Sequence, residues 1–205
     1  MFPTLPPITR AIIVANVAVF LLEFLMSDRI IELFALWPIG PLFHPWQVVT
    51  YAFLHDPHNL MHIVFNMFAL YMFGGALENY WREHGAVSFY VAFYFASVLA
   101  AAGTELLVLG QSNVVEPVIG ASGGVFGVLL GFAWFFPRNK LIVLPIPVPI
   151  SAWLLVTIYG AIELWLGVTG RQDSVAHFAH LGGMLGGAIM ILLWRTTDRG
   201  RTTVH

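Results

Sequence analysis

The chain has 205 residues, of which 59% are hydrophobic and 10% are charged. A water-soluble domain carries about 25% charged residues, so the composition excludes a soluble fold and indicates an integral membrane protein. The formal net charge of −2 does not indicate a nucleic-acid partner, and the absence of cysteine excludes disulfides, thiolate catalysis and cysteine metal sites.

Six apolar segments follow one another along the chain, each close to the ~20 residues that a helix needs to cross a bilayer. A spanning segment must satisfy its own backbone hydrogen bonds, so helices are expected. The predicted segments are approximately residues 8–26, 60–77, 87–109, 118–136, 148–168 and 177–194. The sequence therefore predicts an all-α membrane protein. A six-helix membrane domain would cover residues 1–195, and residues 196–205 would form a short polar cytoplasmic tail.

The connection between the first two segments, about residues 27–59, is the longest in the chain. It mixes apolar and aromatic residues with Pro38, Pro41 and Pro45. Such a mixture is typical of a partly helical segment that lies in the membrane interface. We therefore expect an interfacial first outer loop.

Lysine and arginine are distributed unevenly between the two sides of this topology. With the N-terminus in the cytoplasm, the outer side receives two basic residues, Arg29 and Arg171, and the inner side receives seven. The inner residues are Arg10, Arg82, Arg138, Lys140, Arg195, Arg199 and Arg201. Because cytoplasmic loops carry the excess of positive charge, both termini are predicted to be cytoplasmic.

Polar side chains converge at one depth of this predicted bundle. The second, fourth and sixth segments all run from the outer to the inner side, so their first turns share the outer depth. These turns carry His62 and Asn66, then Ser122, then His177 and His180. His62 and Asn66 are four residues apart and so share a helix face. Because polar side chains are costly in a bilayer, this convergence indicates a functional site.

Small residues surround the serine and follow the histidine. Gly120 permits an unusual backbone conformation just before Ser122. Gly183 and Gly187 form a GxxxG pattern, which favours close helix packing. Packing of that face on the fourth segment would bring His180 to Ser122, as a nucleophile and its base require. A lone serine in a membrane helix more often donates a hydrogen bond to the backbone of its own helix. The residues alone therefore leave two interpretations of Ser122 open, a nucleophile and a serine bonded to its own helix.

Four motifs together resemble the rhomboid family of intramembrane serine proteases in its six-span bacterial form. They are Trp46-Gln47 in the first outer loop, His62-Ile63-Val64-Phe65-Asn66 in the second segment, Gly120-Ala121-Ser122-Gly123 in the fourth, and Ala179-His180-Leu181-Gly182-Gly183 in the sixth. The resemblance extends over nearly the whole chain. It implies a serine endopeptidase that cleaves transmembrane segments of membrane proteins within the lipid bilayer of the inner (cytoplasmic) membrane. It implies neither a cofactor nor a metal.

The resemblance also implies roles for individual residues. Ser122 is similar to the family's nucleophile and His180 to its general base, in a dyad without an acidic third member. His62 and Asn66 are similar to side-chain donors to the oxyanion, helped by the Ser122 backbone N–H.

The two glycines of the serine motif, Gly120 and Gly123, would shape the turn around Ser122. No carboxylate neighbours His180 in sequence, so we expect neither Glu163 nor Asp173 beside it.

Several positions depart from the family pattern. Gln47 stands where an arginine is frequent, which removes a bidentate donor and predicts a looser first loop. Phe126 stands where some relatives have tyrosine, and its ring is expected to stack on the histidine without a hydrogen bond. The sequence does not decide whether His55 or His58 matches an upstream family histidine, and it assigns no role to His177.

Two other classes of function remain open at this stage. A rhomboid-like fold without catalysis would bind or escort membrane proteins, although Ser122 and His180 are both present. A small transporter or channel would use Glu23, Glu105 and Glu163, because carboxylates within spans mark proton paths.

The fifth segment carries three large aromatic residues, Trp153, Tyr159 and Trp165. They are candidates for a bulky gate beside which a substrate enters the site. Anchoring in the lipid interface is the more frequent role of such residues in a membrane helix.

Overall fold

Long apolar stretches form the helices of this protein, because a helix pairs all its backbone groups within one segment. The computed structural model describes residues 5–111, 115–143, 146–170 and 176–202. The helices are α1 (Pro7–Phe34), α2 (Gln47–Thr50), α3 (Leu60–Glu83), α4 (Val87–Leu109), α5 (Ser122–Phe135), α6 (Ala152–Thr169) and α7 (His177–Thr202). The six expected segments correspond to α1, α3, α4, α5, α6 and α7. The fold is therefore the predicted all-α membrane bundle.

Five of the described helices are long and apolar enough to cross a membrane, and α5 is a shorter apolar helix of 14 residues. At 1.5 Å per residue, α5 is about 21 Å long. It begins at Ser122, so the expected start at residue 118 is wrong. The preceding residues are held by backbone hydrogen bonds to other parts of the chain instead, since Val118 forms a β-bridge with Leu36 and the Gly120 N–H donates to the Tyr51 carbonyl.

The first outer connection is partly helical, as predicted. The backbone of α1 breaks its helical geometry at Met26, and the helix then continues to Phe34. The short helix α2 and a 3₁₀ turn at Tyr51–Phe53 follow before α3 begins. The carboxylate of Glu23 on α1 accepts the backbone N–H of His55 at 3.1 and 3.2 Å, which ties the end of the connection to α1.

Gln47 holds the centre of this connection, contrary to the expectation of a looser loop. Its side chain is fully buried. Its Oε1 accepts the backbone N–H groups of His44 at 3.1 Å and Trp37 at 3.4 Å. Its Nε2 donates to the carbonyls of Leu42 at 3.0 Å and Leu33 at 3.4 Å. An amide has both donors and acceptors, so it satisfies carbonyls and N–H groups of the loop together.

A β-hairpin precedes α6, which the sequence did not lead us to expect. Strand β1 (Lys140–Val143) pairs antiparallel with β2 (Ile146–Ser151), and Lys140 lies opposite Ser151. Strand β2 contains two prolines, Pro147 and Pro149. Proline is nevertheless tolerated on a free strand edge, and each strand of a two-stranded sheet has one.

Helix α7 lies against α4, α5 and α6, and glycines allow its closest contacts. A Cβ on Gly183 would collide with the carbonyl oxygen of Gly123 on α5, and one on Gly187 would lie 3.1 Å from that of Gly127. Gly182 faces α4 in the same way, with its hypothetical Cβ 2.8 Å from the Ala100 carbonyl oxygen. The predicted packing of the sixth segment on the fourth is therefore present.

Replacing Gly183 by alanine is expected to force α5 and α7 apart and to lower stability by about 1–3 kcal/mol, the usual cost of overpacking. The measurement is the unfolding temperature of the purified variant in detergent. Gly103→Ala on α4 is the matched control, because a Cβ there meets nothing within 4 Å. Equal unfolding temperatures for the two variants would contradict the packing argument.

The His55 side chain predicts acid sensitivity of the outer connection. It is fully buried, and its ring centroid lies 4.9 Å from that of His62. Burial, and then the repulsion of His62, lower the pKa of His55 from 6.5 to about 3. As pH falls, His55 is therefore protonated in the unfolded chain at a higher pH than in the folded protein. The free energy of unfolding decreases between pH 6.5 and about 3, by up to about 1.4 kcal/mol per pH unit.

The check is the pH dependence of the unfolding temperature in His55→Gln, which is expected to be flatter than in the unmodified protein. His58→Gln serves as control, because His58 is exposed to solvent and is expected to keep the original slope. The same slope in all three proteins would refute the role assigned to His55.

Candidate active site

Ser122 occupies the first residue of α5 because of the turn that precedes it. Gly120 has a φ of +126°, a conformation that L side chains rarely adopt. A Cβ at this position would also lie 2.7 Å from His62 Nε2. Glycine is therefore required at residue 120 for both its backbone conformation and the close approach of the His62 ring.

The hydroxyl of Ser122 and the imidazole of His180 are in hydrogen-bonding contact. Ser122 Oγ lies 2.8 Å from His180 Nε2, although the residues are 58 positions apart in the chain. The ring of Phe126, one turn after Ser122, stacks on His180 with centroids 4.3 Å apart and an interplanar angle of 8°. The expected stacking of Phe126 is therefore present, and it restricts the orientation of the imidazole.

Glu163 is the site residue that our sequence analysis misplaced. Its Oε2 lies 2.9 Å from His180 Nδ1 and 2.6 Å from His177 Nδ1. The expectation that no carboxylate adjoins His180 is therefore wrong for Glu163, whereas Asp173 lies outside the described residues. All three side chains of this cluster are buried.

A signal for this contact exists in the sequence. Glu163 is a carboxylate near the end of an apolar segment, and such a group in a bilayer almost always pairs with another polar residue. His177 and His180 are three residues apart at the start of the next segment, so they share a helix face. Because consecutive spans run in opposite directions, the end of α6 and the start of α7 lie at similar depth.

The same three residues are the described group that could hold a metal ion, since their ligand atoms lie within 4.8 Å of one another. Two ligands of a tetrahedral zinc, each about 2.0–2.1 Å from the ion, are separated by about 3.3 Å. The observed N–O separations of 2.6 and 2.9 Å are instead hydrogen-bond distances. We therefore describe the cluster as two imidazole N–H groups that donate to one carboxylate oxygen.

A cavity of about 610 Å³ adjoins Ser122 and His180. His62, Asp56, Glu105 and Glu116 also line it. Three of these residues carry carboxyl groups, so water and the polar backbone of an extended peptide can be accommodated there. The cavity therefore offers a polar-lined space next to Ser122 and His180.

His62 and Asn66 differ in how they face this cavity. The backbone N–H of Asp56 donates to His62 Nδ1 at 3.5 Å, which leaves the ring proton on Nε2, the atom nearest Gly120. Asn66 is buried, and its Nδ2 donates to the His62 carbonyl at 2.8 Å. Asn66 is not among the residues that line the cavity. His62 is thus aimed at the site, whereas Asn66 supports the turn beneath it.

The carboxylates of the transporter hypothesis are separated in the structure. Glu23 bonds the backbone of His55, Glu105 lines the cavity and Glu163 bonds the two histidines of α7. Within the described parts of the chain, no hydrogen bond joins any two of these three residues. The three carboxylates therefore differ in their surroundings.

Two of the three proposed gate residues of α6 face outward, and the third, Tyr159, is half-buried. Trp153 and Trp165 each expose 53% of their surface, as expected for residues in contact with lipid.

Gly123 lies inside, where an added Cβ would collide with Ala101 on α4. The glycine after the serine therefore has a packing role in addition to its place in the motif.

Comparisons with known proteins identify similar sequences. Residues 42–196 match the family model described as Rhomboid domain. "Rhomboid protein 1, mitochondrial" of Saccharomyces cerevisiae is 30% identical over 204 residues, which cover 92% of this chain and 56% of that protein. "Rhomboid protease GlpG" of Klebsiella pneumoniae is 27% identical over 190 residues, which cover 90% of this chain and 62% of that protein.

GlpG of Salmonella typhi is similar over a comparable range, with 24% identity over 208 residues. The chain spans 56% to 66% of the length of these relatives. The match to the family model covers more than half of the chain and includes Ser122, His180 and His62. The chain therefore belongs to the rhomboid family.

Proposed function

We propose that this protein is an intramembrane serine endopeptidase that hydrolyses transmembrane segments of membrane proteins. The observation that carries the proposal is the 2.8 Å contact between Ser122 Oγ and His180 Nε2. A hydroxyl in hydrogen-bonding contact with an imidazole is the pair that nucleophilic catalysis requires. The adjoining cavity, and relatives named as rhomboid proteases, also support it.

The reaction begins with proton transfer from Ser122 to His180. As Oγ attacks the carbonyl carbon of the scissile peptide bond, Nε2 takes the hydroxyl proton. The resulting imidazolium then donates that proton to the leaving amine, and an acyl-enzyme is formed. Water from the cavity, deprotonated by His180, hydrolyses the ester and restores the serine.

The tetrahedral oxyanion needs hydrogen-bond donors close to Ser122. His62 supplies its Nε2–H, and the start of α5 supplies the backbone N–H of Ser122, which has no partner within its own helix. Asn66 has a second amide N–H beyond the one bonded to the His62 carbonyl. Each such donor is worth about 3–4 kcal/mol in the transition state.

The substrate is a membrane-embedded segment that unwinds before it is cleaved, because a helical peptide hides its carbonyls in internal hydrogen bonds. Entry beside α6 is favoured, since α6 is the least buried of the five candidate spans, with 22% of its residues buried. The aromatic side chains of that helix, Trp153 and Trp165, would border this route on the lipid side.

The orientation proposed for the chain has both termini in the cytoplasm and the site at the outer side of the inner membrane. The distribution of seven basic residues inside and two outside supports it. One membrane domain covers residues 1–195 in this proposal, and residues 196–205 form a cytoplasmic tail.

Ser122→Ala and His180→Asn are each expected to abolish cleavage of a reconstituted transmembrane substrate. The measurement is product formation in proteoliposomes, together with labelling of the purified protein by a fluorophosphonate probe. Ser97→Ala is the matched control: Ser97 is also a buried serine of a membrane helix, and its Oγ donates to Phe93 O of its own helix at 2.9 Å. It is expected to leave cleavage and labelling intact.

Cleavage by Ser122→Ala at the unmodified rate would end the protease proposal. If the unmodified protein were inactive and unlabelled yet bound membrane proteins stoichiometrically, the non-catalytic escort function would be favoured. Labelling that persisted in Ser122→Ala would assign the nucleophile to another residue.

His62→Ala is expected to lower kcat by about 10²–10³-fold, the usual loss of one oxyanion donor. Asn66→Ala is expected to lower it less, because Asn66 does not line the cavity and its amide already donates to the His62 carbonyl. The measurement is kcat on one substrate for both variants. A larger loss in Asn66→Ala than in His62→Ala would contradict the assignment of His62 as the principal side-chain donor.

A further inference from the structure

Glu163 and His177 form a buried cluster with His180 but have no part in the two-residue mechanism. We infer that Glu163 is a positioning residue, which holds His180 in the tautomer and orientation that a general base requires. This inference rests on the proposed function, since it assigns a role relative to the Ser122–His180 pair.

The tautomer of His180 follows from its two partners. Neutral imidazole carries one ring proton, and a carboxylate oxygen can only accept. The 2.9 Å contact with Glu163 Oε2 therefore requires the proton on Nδ1. The lone pair of Nε2 is then free to accept the hydroxyl proton of Ser122 at 2.8 Å. The opposite tautomer would place two acceptors against each other at Nδ1 and would remove the base from the serine.

His177 fixes the position of the carboxylate. Its Nδ1 donates to the same Oε2 at 2.6 Å, so one oxygen is held by two N–H groups from one face of α7. Glu163, His177 and His180 expose 8%, 5% and 8% of their surface. In such a low-dielectric setting a charge-assisted hydrogen bond is stronger than in water, and it restricts the movement of both partners.

The carboxylate also opposes the charge that the reaction creates. When His180 takes the serine proton it becomes an imidazolium, and Glu163 then lies beside a cation on the side away from the substrate. A protonated His180 without this partner would be a buried, unpaired charge, which is costly in an apolar surrounding. The same carboxylate therefore acts in both protonation states of the base.

The competing explanation is that Glu163 only joins α6 to α7 by satisfying two buried histidines. The two explanations predict different kinetics. A structural bond affects unfolding and the amount of folded enzyme. A positioning residue affects kcat of the folded enzyme, and it determines which ring nitrogen of His180 is protonated.

The test compares Glu163→Gln with Thr157→Val in the full-length protein. Glutamine keeps the size of the side chain but has no charge, and its NH₂ group can donate to Nδ1 and so permit the wrong tautomer. Thr157 is an exposed residue of the same helix whose Oγ1 donates to the Trp153 carbonyl at 2.8 Å. Glu163→Gln is expected to lower kcat on a transmembrane substrate by about 100-fold or more with a KM within about twofold, whereas Thr157→Val keeps both values.

A second measurement does not depend on whether Glu163→Gln folds. ¹⁵N NMR of the ¹⁵N-histidine-labelled unmodified protein distinguishes a protonated from an unprotonated ring nitrogen, and His180 is assigned among the eight histidines by its loss in His180→Asn. His180 is expected to carry its proton on Nδ1. A proton on Nε2, unchanged kcat in folded Glu163→Gln, or a loss confined to KM would each overturn the inference.

The Ser122→Ala variant distinguishes a failure of the inference about Glu163 from a failure of the proposed function. If it abolishes cleavage while Glu163→Gln cleaves like Thr157→Val, the inference about Glu163 fails and the proposed protease function stands. If Ser122→Ala cleaves normally, the proposed function fails and the role of Glu163 fails with it.

Discussion

The direct backbone contact between α5 and α7 is the constraint on which the site depends. At Gly183 and Gly123 the two helices approach so closely that a single methyl group would collide with a carbonyl oxygen. Ser122 precedes Gly123, and His180 lies one turn before Gly183, so this contact also sets the separation of hydroxyl and imidazole. Water contributes little to helix association inside a bilayer, and close packing of small residues is the main source of precision.

Both ring nitrogens of His180 have a partner in the site. The His180 imidazole contacts Ser122 on one nitrogen and Glu163 on the other, and Phe126 covers its face. On the opposite side of the cavity, the backbone of Asp56 determines the tautomer of His62. Each imidazole is thus oriented by a contact that takes no part in the reaction, as in the hydrogen-bonded supports of other active sites.

The helical segments and the glycine packing could be predicted from periodicity, helix direction and side-chain size. The same patterns left the Ser122–His180 contact open, and the resemblance to the rhomboid family was needed to predict that contact and the stacking of Phe126. The start of α5, the β-hairpin and the bonds of Gln47 could not be predicted, because each depends on backbone groups from distant parts of the chain. Glu163 belongs to an intermediate class: its need for a partner was evident, but its partner depended on how α6 rotates against α7.

The peripheral position of α6 has a consequence for how the protein is handled outside its membrane. α6 has the smallest buried share of the five candidate spans, yet it carries the carboxylate that contacts both imidazoles of α7. A solubilising amphiphile that draws α6 outward separates these groups while the glycine contact of α5 and α7 remains closed. We therefore expect the proposed activity to depend more on the surrounding lipid than the integrity of the fold does.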